Sequence, residues 1–329
     1  GCGFTTTLGQ LWRYRHGDVG HGRGYSDEHS EHKKTGADLS PFTDDTLPMS
    51  TASQAWMKTA LATEFRPFVQ RWRDSASEPS SRFSNWYVNG EHLGHLDQRH
   101  LPLLLPAFAD ADLPLEPTRR GLELNTAANQ QALSAALMTI AYRLRALGLV
   151  PGWRNEEQLV LNTKGDILAQ AERALFKTLG LRTRAIHVHV ENQHGQVWTG
   201  VRARTKHENP GMLDNVAAGG IASAESIEQT LWRELDEEAG LNSDDFAWIE
   251  PLPPHELVLS RPLLYGGWHH ETVMLFRGQL KQGRRPRNRD GEVGAFQLMT
   301  SEACIEAIND WQFTPDAALC CALALATAK

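Results

Sequence analysis

The sequence predicts an α/β protein built as two successive domains. Strand and helix periodicities alternate from residue 50 onward, and the pattern changes at Leu181, where longer strands begin. A length of 329 residues is enough for two domains.

The elements follow in chain order. Residues 1–48 are rich in Gly, His, Ser and charge and carry no sustained periodicity. They read as a disordered tail or as an over-extended start, because Met49 is followed at once by a helix-like segment opening on Ser50 or Thr51. Residues 49–180 read as a mixed α/β domain. "RFSNWYVNGEHLGHL" gives two strands around the Asn89-Gly90 turn, a strong hairpin signal. "NQQALSAALMTIAYRLRALGLV" has apolar residues at helical spacing and stops at Gly148. "GWRNEEQLVLNT" reads as a turn and a strand, and "DILAQAERALFKTLGL" as a second helix stopped by Gly180. Residues 181–329 form the second domain. It opens with a hairpin, "RTRAIHVHVENQHGQVWTGVRARTK", continues through a helix and four further strands, and closes with two helices. His187 and His189 alternate on one strand face and read as half-buried strand positions, since no third ligand stands at a supporting spacing.

Composition narrows the class. The chain is 41% apolar and 22% charged, with 40 acidic and 33 basic residues and a net charge of −7. A broad nucleic-acid surface needs a basic excess, whereas a small anionic ligand needs only a local pocket. Apolar runs such as "LPLLLPAFA" are too short and Pro-broken to span a bilayer. Cys2, Cys304, Cys320 and Cys321 have no C-x-x-C spacing and read as reduced thiols of a cytoplasmic protein. The expected partner is a small molecule, without nucleic acid or membrane; the oligomeric state is open, a homodimer included.

The chemistry concentrates in "GGIASAESIEQTLWRELDEEAGL", residues 219–241. Ser226 with Gln229 fits a capping box, so a helix is expected from Ile227 to Ala239, stopped by Gly240. On a helical wheel Ile227, Leu231 and Leu235 fall within about 80° and define the buried stripe. Glu238 falls inside that stripe and Glu234 at its edge. Carboxylates about 5 Å apart repel by roughly 3 kcal/mol at an effective dielectric near 20. Protons must stay on, or a cation must enter. Oxygen ligands at i, i+3 and i+4 suit Mg²⁺ or Mn²⁺. Arg233 stands four residues before Glu237 and is expected to pair with it, leaving Glu234 and Glu238 for metal.

These residues resemble the Nudix box, G-x5-E-x7-R-E-U-x-E-E-x-G-U, at every fixed position: Gly219, Glu225, Arg233, Glu234, Leu235, Glu237, Glu238, Gly240 and Leu241. The resemblance implies a Nudix α/β/α sandwich and hydrolysis of a diphosphate with a divalent cation held by box glutamates. The metal set is then Glu234, Glu238 and Glu237, with Gly219 beside them. Glu234, Glu237 and Arg233 are the catalytic candidates, joined by Glu292 from "NRDGEVGAF", which reads equally as a tight Asp-Gly turn.

"KHENPGMLDNVAAGGI" and "GWRNE" also resemble a narrower branch, related to the Nudix domain found with thiamine pyrophosphokinase. That resemblance implies thiamine diphosphate or its oxidised analogues as substrate. Lys206 is then a phosphate contact, Asp214 or Asn215 an aminopyrimidine contact, and Met212 and Trp153 apolar walls. Two alternatives stay open: a nucleoside diphosphate derivative as substrate, and a Nudix-fold sensor without turnover.

Overall fold

The structure is a computed structural model that describes residues 64–68, 70, 82–206, 208–252, 257–263 and 266–327. Residues 1–63, with the tail, Met49 and the helix opening expected at Ser50 or Thr51, lie outside them.

The first unit is built on a four-stranded sheet. β1 (Phe83–Val88) and β2 (Glu91–Asp97) form the expected hairpin. Asn89 and Gly90 have φ of 49° and 87°, the positive pair a type I′ turn requires. α1 (Leu101–Ala109), β3 (Glu116–Thr118) and β4 (Gly121–Leu124) follow, and the sheet order is β2-β1-β4-β3. α2 (Gln130–Ala146) is capped by Asn129, whose Oδ1 accepts from the Ala132 amide at 2.9 Å. It buries Leu133, Leu137, Ile140, Ala141 and Leu144, one face at helical spacing, against Trp86, Phe108 and Phe176.

One expected element divides. β5 (Glu157–Leu161) pairs with β6 (Ile167–Glu172), so only Arg173–Leu179 of the expected second helix is helical, as α3. The Asn162 side chain explains the division. Its Oδ1 accepts from the amides of Lys164 and Asp166, which folds "NTKGD" into a hairpin turn. Ala169 and Ala171 then alternate inward as fully buried strand residues. The Gly180 stop is as expected, with φ of 63°.

The second unit has an eight-stranded sheet. β7 (Arg182–Glu191) lies at its centre, parallel to β13 (Trp268–Leu280) and antiparallel to β8 (Val197–Arg202) and β10 (Ala217–Gly220). β9 (Leu213–Asp214) pairs with β8, as does β14 (Val293–Met299). β11 (Phe246–Pro251) and β12 (Leu257–Pro262) pair with β13. α4 (Ile227–Ala239) packs Leu231, Leu235 and Ala239 on Ile186, Val188, Val190, Met274 and Phe276. α5 (Ser301–Asn309) and α6 (Pro315–Thr327) cover the other face, packing Cys304, Ile308, Leu319 and Leu323 with Val197, Val273 and Leu275. The result is an α/β/α sandwich.

Strand alternation sends His187 and His189 to the face opposite α4, where both are buried. Among the described residues no helix is long and apolar enough to cross a membrane.

The first unit is not simply everything before residue 180. Phe65 and Phe68 are buried in the α5/α6 core, and Asn309 Nδ2 donates to the Glu64 carbonyl at 2.9 Å. Where the chain before residue 71 is described, it therefore packs on the C-terminal layer. Between the units, Trp268 meets Phe83 edge to face at 5.0 Å, and the Ser223 amide donates to the Glu157 carbonyl at 2.9 Å. This interface places "GWRNE" beside the C-terminal sheet.

Candidate active site

Local sequence fixes the carboxylates in space. β10 ends at Gly220, and Ser226 starts α4 with both halves of the capping box formed. Gly240 stops the helix in the left-handed region at φ 60°. Glu234, Glu237 and Glu238 thus face β10 and the rim beside it.

Glu234 is the most enclosed of the three, at 8% exposure, and its carboxylate occupies the space a Cβ on Gly219 would need. Glu238 is half-buried, and Glu237 is exposed. The order of burial expected for Glu234 and Glu238 is therefore reversed. Gly219 carries no side chain, and the Glu234 carboxylate fills the space that one would take. Glu238 instead accepts from the Ala218 amide at 3.0 Å.

Arg233 makes its expected pair with Glu237 and two further pairs besides. Its guanidinium grips Glu225 through Nε at 2.6 Å and Nη2 at 2.9 Å, while Nη1 reaches Glu234 at 2.7 Å and Glu237 at 3.0 Å. One planar fork ties the loop before α4 to two box glutamates. Glu234 is thus an Arg partner as well as a metal candidate.

The electrostatics are those of a site short of positive charge. Burial pushes the Glu234 carboxyl up, Arg233 pulls it partly down, and Glu237 pushes it up again. Burial pushes Glu238 well above the carboxylate range, and the charges of Glu234, Asp214 and Glu292 push it further.

The loop before β14 closes the cluster. Asp290 Oδ1 accepts from the Glu292 amide at 2.8 Å, and Gly291 adopts φ 87°, so the tight turn exists. The same turn delivers Glu292 to the site, where carboxylate oxygens of Glu238, Asp290 and Glu292 all lie within 4.8 Å of one another. Glu292 is ion-paired with Lys206, and Arg154 Nη1 lies 3.4 Å away. Burial alone would raise its pKa, but Lys206 and Arg154 outweigh that and lower it.

A hard, all-oxygen, anionic trio fits Mg²⁺ or Mn²⁺. The set expected from sequence was Glu234, Glu238, Glu237 and Gly219. In the structure Glu238 converges with Asp290 and Glu292, while Glu234 and Gly219 form the adjoining wall and Glu237 stands outside on Arg233.

A cavity of about 680 Å³ opens over this cluster. Lys206, Asp214 and Asn215 line it. Asp214 is already held by Arg202 at 2.6 Å, and Asn215 Oδ1 meets His187 Nδ1 at 2.8 Å. Met212 and Trp153 are not among its lining residues. Trp153 instead stacks on Tyr142 at 4.9 Å, beneath the Arg145 guanidinium, and Met212 sits in the β8–β9 connection, its carbonyl accepting from the Arg202 amide. The first unit contributes Arg154, Arg173 and Lys177 to the lining. Arg154 stands inside "GWRNE", but its pairing with Glu292 spans two units and leaves no local pattern to read. The basic "RRPRNR" loop is tied down elsewhere: Arg289 pairs with Asp236 of α4, and the Arg287 amide donates to the Ala239 carbonyl.

Fold and site together define an α/β/α sandwich with a carboxylate-lined pocket beside the C-terminal end of α4. Residues 180–317 match the family model described as NUDIX domain. An uncharacterized protein of Saccharomyces cerevisiae, YJR142W, is 28% identical over 197 residues, covering 54% of this chain and 56% of its own length. Nudix hydrolase 24, chloroplastic, of Arabidopsis thaliana is 28% identical over 184 residues, covering 51% of this chain and 47% of its own. The solved structure of DR0079 from Deinococcus radiodurans aligns at a TM-score of 0.40 and 20% identity, covering 50% of this chain and 97% of that one. The chain spans about half the length of the curated relatives it matches.

Proposed function

We propose that this protein is a divalent-cation-dependent hydrolase of a diphosphate bond, acting on thiamine diphosphate or its oxidised analogues to give the monophosphate and phosphate. The observation that carries the hydrolase reading is the convergence of Glu238, Asp290 and Glu292 under a cavity edged by Lys206 and Arg154. The thiamine reading rests on the branch resemblance of the loop from Lys206 to Ile221.

When bound by this trio, Mg²⁺ or Mn²⁺ neutralises diphosphate charge and makes a water easier to deprotonate. The chain's own residues do the rest. Lys206 and Arg154, both resting on Glu292, turn to phosphate oxygens when substrate arrives. Arg233 holds Glu234 Oε1, which leaves Oε2 to accept the water proton. Burial raises the Glu234 pKa, which makes it a stronger base than an ordinary carboxylate. Gly219 lets that carboxylate sit close to β10. A reducing compartment such as the cytoplasm fits Cys304, Cys320 and Cys321, which are free and buried.

One observation favours a second substrate class. Asp214, the expected aminopyrimidine acceptor, is occupied by Arg202, so a nucleoside diphosphate derivative that makes no demand on Asp214 is the alternative.

The test is phosphate and monophosphate release from thiamine diphosphate, its oxidised analogues, ADP-ribose and NADH with Mg²⁺ or Mn²⁺, beside Glu238→Gln. Preference for thiamine compounds, lost in Glu238→Gln, supports the proposal. Turnover of nucleotides alone keeps the chemistry and removes the substrate. No turnover of any compound favours a ligand sensor.

A further inference from the structure

On the sheet face away from α4, a second group of metal-ligating side chains gathers where α6 begins. His269 and Glu271 stand two residues apart on β13 and therefore share a face. Asp316 lies in the first turn of α6 and meets them there. Ligand atoms of all three lie within 4.8 Å of one another. His269 Nε2 is 3.4 Å from Asp316 Oδ2 and 3.9 Å from Glu271 Oε2.

Neither approach is a hydrogen bond. The His269 side chain is only 8% exposed, yet its Nε2 has no hydrogen-bond partner, and neither has Asp316 Oδ1. Buried polar atoms are almost always satisfied, so an imidazole nitrogen and a carboxylate oxygen left bare on one small volume require an explanation. Two carboxylates also aim at a single ring nitrogen, which has at most one N–H to give. The spacing suits another occupant: ligands about 2.1 Å from a tetrahedral metal stand about 3.4 Å from each other. Glu271 is already oriented, because its Oε1 accepts from Thr183 Oγ1 at 2.9 Å. Arg261 Nη2 lies 3.5 Å from Asp316 Oδ2 and holds one side of that carboxylate.

We infer that His269, Glu271 and Asp316 form a second cation site, for a divalent transition metal of the zinc class, that pins α6 to the central sheet. One imidazole nitrogen with two carboxylates is a borderline donor set, distinct from the all-oxygen trio at Glu238. The site lies behind the wall of the cavity. Thr314, two residues before Asp316, directs its hydroxyl at the Asp214 carboxylate from 3.4 Å, and Asp214 lines the cavity. Metal at this position therefore fixes the helix start that supports Asp214.

The test uses the full chain with the first site silenced by Glu238→Gln and Glu292→Gln. Protein exchanged into zinc, then freed of excess, is assayed by plasma mass spectrometry, and the His269 ring nitrogen is followed by NMR. Stoichiometric zinc, reduced to background by a further His269→Gln, with a zinc-dependent shift of His269 Nε2, is the expected result. No retained zinc, or zinc unchanged by His269→Gln, overturns the inference. If His269→Gln fails to fold, the ring signal decides in the chain that keeps His269: a signal unmoved by zinc means that a proton rather than a metal neutralises the cluster.

Discussion

The carboxylate of Glu234 lies over Gly219 in the space that a side chain at 219 would fill. The glycine is what permits that approach. Gly219→Ala must push the Glu234 carboxylate aside or lift the helix. Overpacking of this kind costs about 1–3 kcal/mol. The expected outcome is a melting temperature lowered accordingly, with kcat reduced about tenfold or more because the displaced carboxylate is the proposed base. Thermal melts and steady-state kinetics on the same preparation check both, and an alanine variant with full kcat would remove Glu234 from that role.

Arg233 connects Glu225, Glu234 and Glu237 through one guanidinium. A lysine keeps the charge but offers a single ammonium, which cannot grip Glu225 twice and hold Glu234 as well. Arg233→Lys is therefore expected to lower kcat about ten- to a hundredfold while KM moves little, as befits a residue that positions another. The pH–rate profile separates positioning from simple unfolding. Without the Arg233 hydrogen bond the Glu234 pKa rises further, so the acid limb of the profile, where the base gains its proton, moves to higher pH. A profile unchanged in shape would mean that Arg233 only braces the fold.

What the sequence makes legible follows the range of the interaction. α4 is readable because its cap, stripe and stop lie within a few residues of one another, and all three are formed. The strand β6 is not, because "DILAQAERALF" is rich in helix-favouring Ala and Leu, and the outcome depends on the Asn162 turn and on packing against α2. Glu225 as the main Arg233 partner lies eight residues upstream, beyond any helical spacing rule. Asp290 as the third carboxylate looked like turn chemistry, which it also is. The ring of Trp153 has the size of a pocket wall, yet the cation beside it is Arg145 of its own unit.

Arg154 reaches from the first unit to Glu292, 3.4 Å away, at the rim of the cavity. It is about half exposed, so its worth to folding is small, as for other surface ion pairs. Its value to a phosphate ligand is greater, because a charged hydrogen bond contributes about 1.5–3 kcal/mol. Arg154→Gln is expected to leave the melting temperature and kcat near wild type and to raise KM about tenfold. Kinetics over a range of ionic strength give a second check, since removal of a rim cation flattens the salt dependence of kcat/KM. Unchanged KM would confine substrate recognition to the second unit.

Glu238 supplies a prediction whose sign can be worked out. Burial and the charges of Glu234, Asp214 and Glu292 raise its folded pKa well above the ordinary 4.5. Such a group stabilises the metal-free fold fully below about pH 4.5 and loses that contribution as pH rises through the folded pKa. At neutral pH the raised pKa is therefore a cost to folding, and Glu238→Gln, which is permanently neutral, removes it. In chelator at pH 7 the variant should melt above wild type, and the difference should shrink as pH falls toward 4.5. Other carboxylates act oppositely: Glu292 and Glu225 are lowered, so their contributions are lost only at more acid pH and cancel in the comparison of the two proteins. Saturating Mg²⁺ should reverse the order, raising the wild-type melting temperature and leaving the variant unmoved, while hydrolysis by the variant falls at least about a hundredfold. Melting curves of both proteins at several pH values, with chelator and with Mg²⁺, make the comparison. A variant less stable than wild type in chelator at pH 7 would overturn the raised pKa of Glu238.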